Sequence, residues 1–467
     1  MKIYLLTDFG STYTKVTAVD INKGEIVAFT KAFTTIEDDV AIGYNNALSQ
    51  IYNQLGEFTP TASLACSSAA GGLKMVSSGL VPDLTAKASR LAAASAGAKV
   101  MKTYSYELTE LEIEEITAIN PDIVLLSGGI DGGNKAVILH NAGIIAKVPG
   151  DFFVIVAGNR SASAAAKETL EAGGKRVILC ENVMPVFGKL NIMPAKAAIR
   201  DLFIENIVTA KGLDAVAKVM DMDIIPTPLA VFEACELLAN GTRDVAGLGE
   251  IMAYDLGGAT TDVYSMADGT PKVPNAFISG ISEPYAKRSV EGDLGMRYSL
   301  AALYDLILEA DGGIEFFATG GFLKDDVEGW IALCAADPSI RPHGGLEKYA
   351  SIDAAFAAWA IRKSAARHVG RTTKVYTPNG EMLSQEGKDL TRVRFVIGSG
   401  GAVINATDPA AIMREAVYAP RDLNDLKPLE PKILLDEKNC LAAMGLLARR
   451  EPDMALRIMK NSFVEIE

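Results

Sequence analysis

Leu5-Leu6-Thr7-Asp8-Phe9-Gly10-Ser11-Thr12-Tyr13-Thr14-Lys15 carries an apolar strand into an aspartate, then a glycine, then hydroxyl side chains that open a second strand. The same order returns in the other half of the chain, at Met252-Ala253-Tyr254-Asp255-Leu256-Gly257-Gly258-Ala259-Thr260-Thr261-Asp262. Glycine lets the backbone approach a phosphate oxygen with no Cβ in the way, and successive N–H groups in a tight bend form an anion cradle. Gly10, Ser11, Thr12, Gly257, Gly258 and Thr260 are therefore the candidate phosphate contacts. An aspartate at a strand end would repel phosphate directly, so its natural partner is Mg²⁺ with its waters. Asp8 and Asp255 are the candidate metal ligands. With Asp262 and Lys15, which supplies compensating positive charge, they are also the candidate catalytic residues. Either bend alone reads equally well as an ordinary β-turn with Asp and Gly in favoured places. Two matched bends, one per half, point instead to phosphates gripped from both sides.

A third element lies further along. Val396-Ile397-Gly398-Ser399-Gly400-Gly401-Ala402-Val403-Ile404 is an apolar strand that breaks into glycines and then a helix. Gly398, Ser399, Gly400 and Gly401 can run beneath a sugar and base, with helix N–H groups toward phosphate. Such a loop is a weak signal alone; in this order the three elements resemble the actin and hexokinase superfamily. Asp8–Lys15 resembles its first phosphate turn, Asp255–Asp262 its second, and Gly398–Gly401 its adenosine loop. Thr227-Pro228-Leu229-Ala230 with the helix after it resembles the first helix connecting two lobes. The terminal helix Asn439–Ala448, with Ala442, Ala443 and Gly445, resembles the second. The resemblance implies an α/β protein with the two-lobed actin-like ATPase fold, built of duplicated ribonuclease H-like lobes, binding ATP with Mg²⁺. It also exposes a departure. An acidic residue often precedes the proline of the first connecting helix in this superfamily and orients the attacking water. Here Thr227 stands there, so either hydrolysis is slow or Asp255 or Asp262 serves; Glu233, on the same helix, reads first as a solvated carboxylate.

Outward from these motifs the chain alternates strand and helix. Thr14–Asp20 and Glu25–Thr34 form a meander, Val40–Leu55 has helical spacing, and Ser63–Cys66 is a short strand ending at Ser67-Ser68-Ala69-Ala70-Gly71-Gly72. Asp83–Ala96 reads as a helix with Gly97 beyond it. Asp122–Leu126, Phe153–Val156 and Arg176–Leu179 are apolar runs fitting buried parallel strands of an inserted α/β block. After a connecting helix closed by Gly241, helices are expected at 284–310 and 352–369. The expected organisation is 1–85 for the first lobe, 86–225 for the inserted block and return, and 226–245 for the connecting helix. The second lobe then takes 246–425, and 426–467 is a terminal strand with helices packing back toward the first lobe.

Within the block, Pro121-Asp122-Ile123-Val124-Leu125-Leu126-Ser127-Gly128-Gly129-Ile130-Asp131-Gly132-Gly133-Asn134 carries a narrower resemblance, together with Ser67–Gly72 and Gly79–Ala86. It is similar to the MutL-type accessory proteins of adenosylcobalamin-dependent glutamate mutase (methylaspartate mutase), a group distinct from the mismatch-repair protein of similar name. That resemblance implies a chaperone-like ATPase that acts on the subunits of a cobalamin mutase, in the manner of a reactivating factor. The 127–134 run also reads two ways. It is a surface connection or, with Asn159-Arg160 at the next strand end, a second recognition site. Arg362, Lys363, Arg367 and Arg371 fall at helical spacing and read equally as an exposed basic face or as a bracket around adenine through Lys363 and Arg367.

Composition narrows the alternatives. The 467 residues are 49% apolar and 22% charged, with a net charge of −13, which argues against nucleic-acid or anionic-membrane partners. No apolar run approaches the length of a membrane span, and Asp8 interrupts the N-terminal apolar stretch at once, so a cytoplasmic address is expected. The five cysteines stand singly and read as small buried hydrophobes, and three histidines complete a poor set of soft metal ligands. His343 and His368 read as surface residues, and Trp330 and Trp359 as packing residues. Three rival functions remain: a sugar or carboxylate kinase, for which no acceptor-side base stands out; an activator ATPase of 2-hydroxyacyl-CoA dehydratases, whose iron–sulfur ligand pairs are missing; and a filament-forming actin relative.

Overall fold

The computed structural model describes residues 2–10, 12–34, 39–68, 73–207, 213–310, 320–378 and 380–467, with only the backbone of 205–207, 214 and 215. Ser11 and residues 69–72 of the Ser67–Gly72 bend therefore lie outside the described residues.

Two sheets share one plan. In the first, the strand order is Glu25–Phe33, Tyr13–Asp20, Ile3–Phe9, Ala62–Ser67 and Ile225–Pro226. The first three pair antiparallel and the last three parallel. In the second, the order is Ala286–Glu291, Thr261–Met266, Ile251–Leu256, Phe395–Ser399 and Lys432–Leu435, with the same alternation of direction. Each lobe is thus a meander whose central strand is joined in parallel by two later strands. This repeated order makes the chain a duplicated, two-lobed actin-like fold, as the sequence implied. The central strands are buried on both faces, and their apolar runs pay for that burial with roughly 1.5–3 kcal/mol per large side chain.

The helix Val40–Leu55 starts where the Asp39 carboxylate accepts from the Ala41 N–H at 2.8 Å, and it lays Val40, Tyr44, Ala47 and Ile51 onto the first sheet. Between the lobes run the helices Thr227–Asn240 and Leu441–Ala448. They cross so closely that a Cβ on Gly445 would fall inside the contact radius of the Ala230 carbonyl oxygen. Gly241, at φ +73°, ends the first of them as expected.

The inserted block begins earlier than the expected residue 86. Its sheet is wholly parallel, in the order Lys99–Ser105, Lys74–Gly79, Ile123–Leu126, Phe153–Val156, Arg176–Leu179. Lys74–Gly79 is short and its Ser77 and Ser78 are polar, so it lacked the apolar signature of its neighbours; its serines are buried and hydrogen-bonded instead. A π-turn, Pro82–Ala86, runs into the helix Lys87–Ser95, which stops one residue before Ala96.

Two further expectations change. Residues 284–310 are not one helix: Ala286–Glu291 is the third strand of the second lobe and Leu300–Glu309 the helix. The strand was hidden because Lys287 and Arg288 are both buried, Lys287 against the nearby Glu283 and Arg288 against Asp262 on the neighbouring strand. The C-terminal segment divides its allegiance. Lys432–Leu435 and a terminal strand, Val464–Ile466, complete the second sheet, while Cys440, Leu441 and Met444 join Leu6 and Leu64 of the first lobe in one core. No helix among the described residues is long and apolar enough to cross a membrane.

Candidate functional site

The two aspartate bends are the same hairpin twice. Across the first, Asp8 faces Lys15; across the second, Asp255 faces Asp262. Each is closed by a glycine N–H donating to a carbonyl three residues on, Gly10 to Tyr13 at 3.1 Å and Gly257 to Thr260 at 2.9 Å. Gly10 is obligatory, since a Cβ there would lie 2.7 Å from the Tyr13 carbonyl oxygen.

Both hairpins open into one cavity of about 650 Å³. Asp8, Gly10, Thr12, Lys15, Asp255, Gly257, Gly258, Thr260 and Asp262 all line it, so the sequence-derived residues from opposite halves converge. The walls are cationic in an acidic protein: Lys31, Lys99, Arg288, Arg297 and Arg341 join Lys15 there. Lys15 and Lys31 lie directly opposite each other on neighbouring strands, a like-charge pair that a polyanion between the lobes would relieve.

Asp8 is held from three sides. Thr227 donates its hydroxyl to Oδ1 at 2.7 Å, Lys15 Nζ sits 3.4 Å from Oδ2, and the Cys66 thiol lies 3.6 Å from Oδ1. Thr227, at the position where an acid was expected, thus fixes Asp8. Burial works against the Lys15 charge, but Asp8 and then Asp255 outweigh it and hold the ammonium above its usual range. The influence of Asp255 on Lys15 shows that the two hairpins lie within electrostatic reach of each other. Burial also pushes the Asp255 carboxyl up to about 6; Lys15 opposes this, and Asp262 and Asp8 reinforce it. Asp262 is shared, with Oδ2 accepting from the Thr260 hydroxyl at 3.2 Å and Oδ1 from Arg288 Nε at 2.8 Å.

The glycine loop Gly398–Gly401, expected to run beneath adenosine, is only half in the cavity. Gly400 and Gly401 line it, and Gly400, at φ +95°, packs directly against Leu256 of the second hairpin. Gly398 and Ser399 do not reach it. A Cβ on Gly398 would meet the Met413 side chain, and the Ser399 hydroxyl donates to Asp436 at 3.1 Å in the core. Lys363 and Arg367 do not reach it either: Lys363 lies over the Trp359 ring, and Arg367 is clasped by Glu291 and Asp293 at 2.7–2.9 Å. Of the four basic residues at helical spacing, Arg367 is ion-paired along the second lobe and Arg371, on the following strand, pairs with Asp425; none of the four lines the cavity. His368 is buried, between the Ser265 and Ser289 hydroxyls at 2.8 Å. Glu233 forms a two-point ion pair with Arg449, the residue just past the other connecting helix.

The 127–134 run turns its polar groups on itself. Asn159 donates to the Gly133 and Asn134 carbonyls and accepts from Gly132 N–H, while Asn182 binds the Gly129 carbonyl and Asp131. The Ser127 hydroxyl donates to the Ser78 carbonyl and accepts from Ser89, filling the space between the first and third strands of the block. This supports the connection reading of that run over the recognition one. Sequence inspection missed Arg288, Lys99, Lys31, Arg297 and Arg341. Lys31 had a signal, since it lies on the strand after Lys15 in the same meander; the others depend on contacts between distant segments.

The family model described as MutL protein matches residues 4–463. Protein MutL of Clostridium tetanomorphum is 44% identical over 471 residues, covering 100% of both chains. Among solved structures, the activator of the 2-hydroxyisocaproyl-CoA dehydratase from Clostridium difficile with bound ADPNP covers 100% of this chain and 99% of its own, at 11% identity and a TM-score of 0.30. The xylulose kinase from Lactobacillus acidophilus covers 100% and 93%, at 10% identity and a TM-score of 0.35. These structural likenesses are distant, and the fold rests on the repeated strand order of the two sheets. With a family model and a relative that both span the sequence, the chain belongs to the MutL protein family.

Proposed function

We propose that this protein binds and slowly hydrolyses ATP between its lobes and uses that cycle, chaperone-like, as an accessory or reactivating factor for the subunits of an adenosylcobalamin-dependent mutase of the glutamate mutase type. The observation that carries the nucleotide part is the meeting of two equivalent Asp-x-Gly hairpins in one cation-lined cavity. Family membership supports the accessory part.

The donor set fits Mg²⁺ brought with a triphosphate. Among the described residues no cluster of three or more His, Cys, Asp or Glu forms a cage for an ion. Asp8 and Asp255 at the cavity floor instead suit a cation that keeps its waters and takes phosphate oxygens as ligands. Bound there, Mg²⁺ would neutralise phosphate charge. Lys15 would face the phosphates from the first lobe, and the N–H groups of the Gly10 and Gly257 hairpins would cradle them. Asp255 or Asp262, both lining the cavity, would orient the attacking water. Nucleotide between the lobes favours the closed state, and loss of the terminal phosphate relaxes it.

Asp8→Asn and Lys15→Ala are each expected to slow ATP turnover by at least about tenfold, some 1.4 kcal/mol of barrier. Phosphate release at the wild-type rate in both would remove these residues from the site. Glu233→Gln is expected to leave turnover within about twofold and to cost at most about 1 kcal/mol in denaturant melts, as befits a partly exposed ion pair. For the accessory role, mutase subunits are expected to co-purify with the protein in amounts that differ between ATP and ADP. Equal recovery with either nucleotide would defeat the switch.

A further inference from the structure

The inserted block is covalently part of the first lobe, since the chain enters it after Ala62–Ser67 and leaves it for Ile225–Pro226. Yet its helix Lys87–Ser95 docks on the edge strand of the second lobe, Ala286–Glu291. The block therefore spans the cleft from one lobe to the other.

Two buried ionic contacts make this docking. At one, Glu283 of the second lobe sits between Lys87 of the block, at 2.9 Å, and Lys287, at 2.6 Å. At the other, Arg288 uses both ends of its guanidinium. Nε and Nη2 hold Asp262 Oδ1 at 2.8 and 2.5 Å, while Nη1 donates to the Ala94 and Ala98 carbonyls at 2.7 and 3.2 Å. The Ala94 carbonyl lies in the last turn of the block's helix, where backbone dipoles leave partial negative charge and a cation is favoured, and Ala98 lies just past the helix end. Arg288 is buried, at 3% exposure, so it has no water to replace either partner.

Asp262 is the phosphate-side member of this chain, since its other oxygen is held by Thr260 of the second hairpin. A ligand that engages Thr260 and Asp262 must therefore act on Arg288, and through it on the end of the block's helix. We propose that Arg288 is a positioning residue that couples phosphate occupancy of the second hairpin to docking of the inserted block. Bound ATP tightens the block on the second lobe, and a loosened block weakens ATP binding. This rests on the nucleotide reading of the cleft and adds to it a route by which that site is read elsewhere in the molecule. The fork geometry matters: Arg288 presents Nε and Nη2 to the carboxylate and Nη1 to the two carbonyls, a fixed spread of donors that a single ammonium does not reproduce.

The test uses the full chain, Mg²⁺ and ADPNP, with direct binding measured by calorimetry and amide hydrogen exchange followed by mass spectrometry over residues 87–98. In the wild type, saturating ADPNP is expected to slow exchange there by about fivefold or more, the low end of ordinary allosteric coupling. Arg288→Lys is expected to bind ADPNP more weakly than the wild type and, once saturated, to lose that protection. Lys87→Met, which touches nothing in the cavity, is expected to weaken ADPNP by a comparable factor because coupling is reciprocal. In the Arg288→Lys background the same Lys87 change is expected to have no further effect on affinity. Exchange over 87–98 that ignores bound ADPNP in the wild type overturns the coupling, as does unaltered affinity in Lys87→Met. Failure of the wild type to bind ADPNP at all overturns the nucleotide reading itself, and the calorimetry identifies that case separately.

Discussion

Gly445→Ala is expected to destabilise the protein by on the order of 3 kcal/mol, although the same change in an open helix would stabilise it by about 1 kcal/mol. The sign is what matters. Alanine is the better helix former, so at a free position on Leu441–Ala448 the substitution would lower the unfolded chain's entropy and raise stability. Here the added Cβ falls on the Ala230 carbonyl oxygen of Thr227–Asn240, a main-chain atom in the first turn of a helix that cannot rotate away. The two helices must separate, and with them the contacts of Leu229, Val231, Met444 and Leu447, which share one buried core with strands of both lobes. Denaturant melts of the nucleotide-free protein read the effect. Because these helices join the lobes, ADPNP affinity is expected to fall as well. A Gly445→Ala protein as stable as wild type would mean that the helices have room to spare and are not the tight pivot between the lobes.

That pivot was legible before any coordinates, as were the hairpins, because both demand particular residue types. A hairpin bend this tight needs glycine where Gly10 and Gly257 stand, and close-crossing helices need small residues such as Ala230 and Gly445. The buried strand runs Ile123–Leu126 and Phe153–Val156 were equally plain, being apolar on both faces. What sequence could not disclose is burial arranged by distant partners. Ala286–Glu291 looks solvent-facing, yet Lys287 and Arg288 are buried against Glu283, Asp262 and the Ala94 carbonyl, the last two reached only through tertiary structure. The basic spacing on Ala350–His368 misled for the opposite reason. Arg367 had acidic partners in Glu291 and Asp293, and a helical repeat of charge says nothing of which neighbour answers it. Thr227 shows a third limit. Its departure from the expected acid was visible, but its role as a donor to Asp8 requires the geometry of two segments far apart in the chain.

Asp255→Asn is expected to abolish most ATP turnover, by on the order of a hundredfold or about 2.7 kcal/mol of barrier, while making the nucleotide-free protein more stable at neutral pH. The two effects have one cause. Burial first, then Asp262 and Asp8, raise the carboxyl from its ordinary 3.8 to about 6, and Lys15 offsets only part of the rise. Between those values the folded protein holds a proton that the unfolded chain has released. Stability therefore falls as pH rises through that window, and above it the full burden of a buried carboxylate remains. A shift of this size, from 3.8 to about 6, corresponds to on the order of 3 kcal/mol. Asparagine carries no such charge, so the variant is expected to gain most over wild type near pH 7.5 and least below pH 4, in denaturant melts without nucleotide. Identical pH dependence in the two proteins would show that Asp255 is not the strained group. The charge that is costly in the empty cleft is also the one that a hydrated cation and a polarised water would use. Added Mg²⁺ and ADPNP are accordingly expected to stabilise the wild type more than Asp255→Asn, so the order of the two proteins narrows or reverses once the cleft is filled.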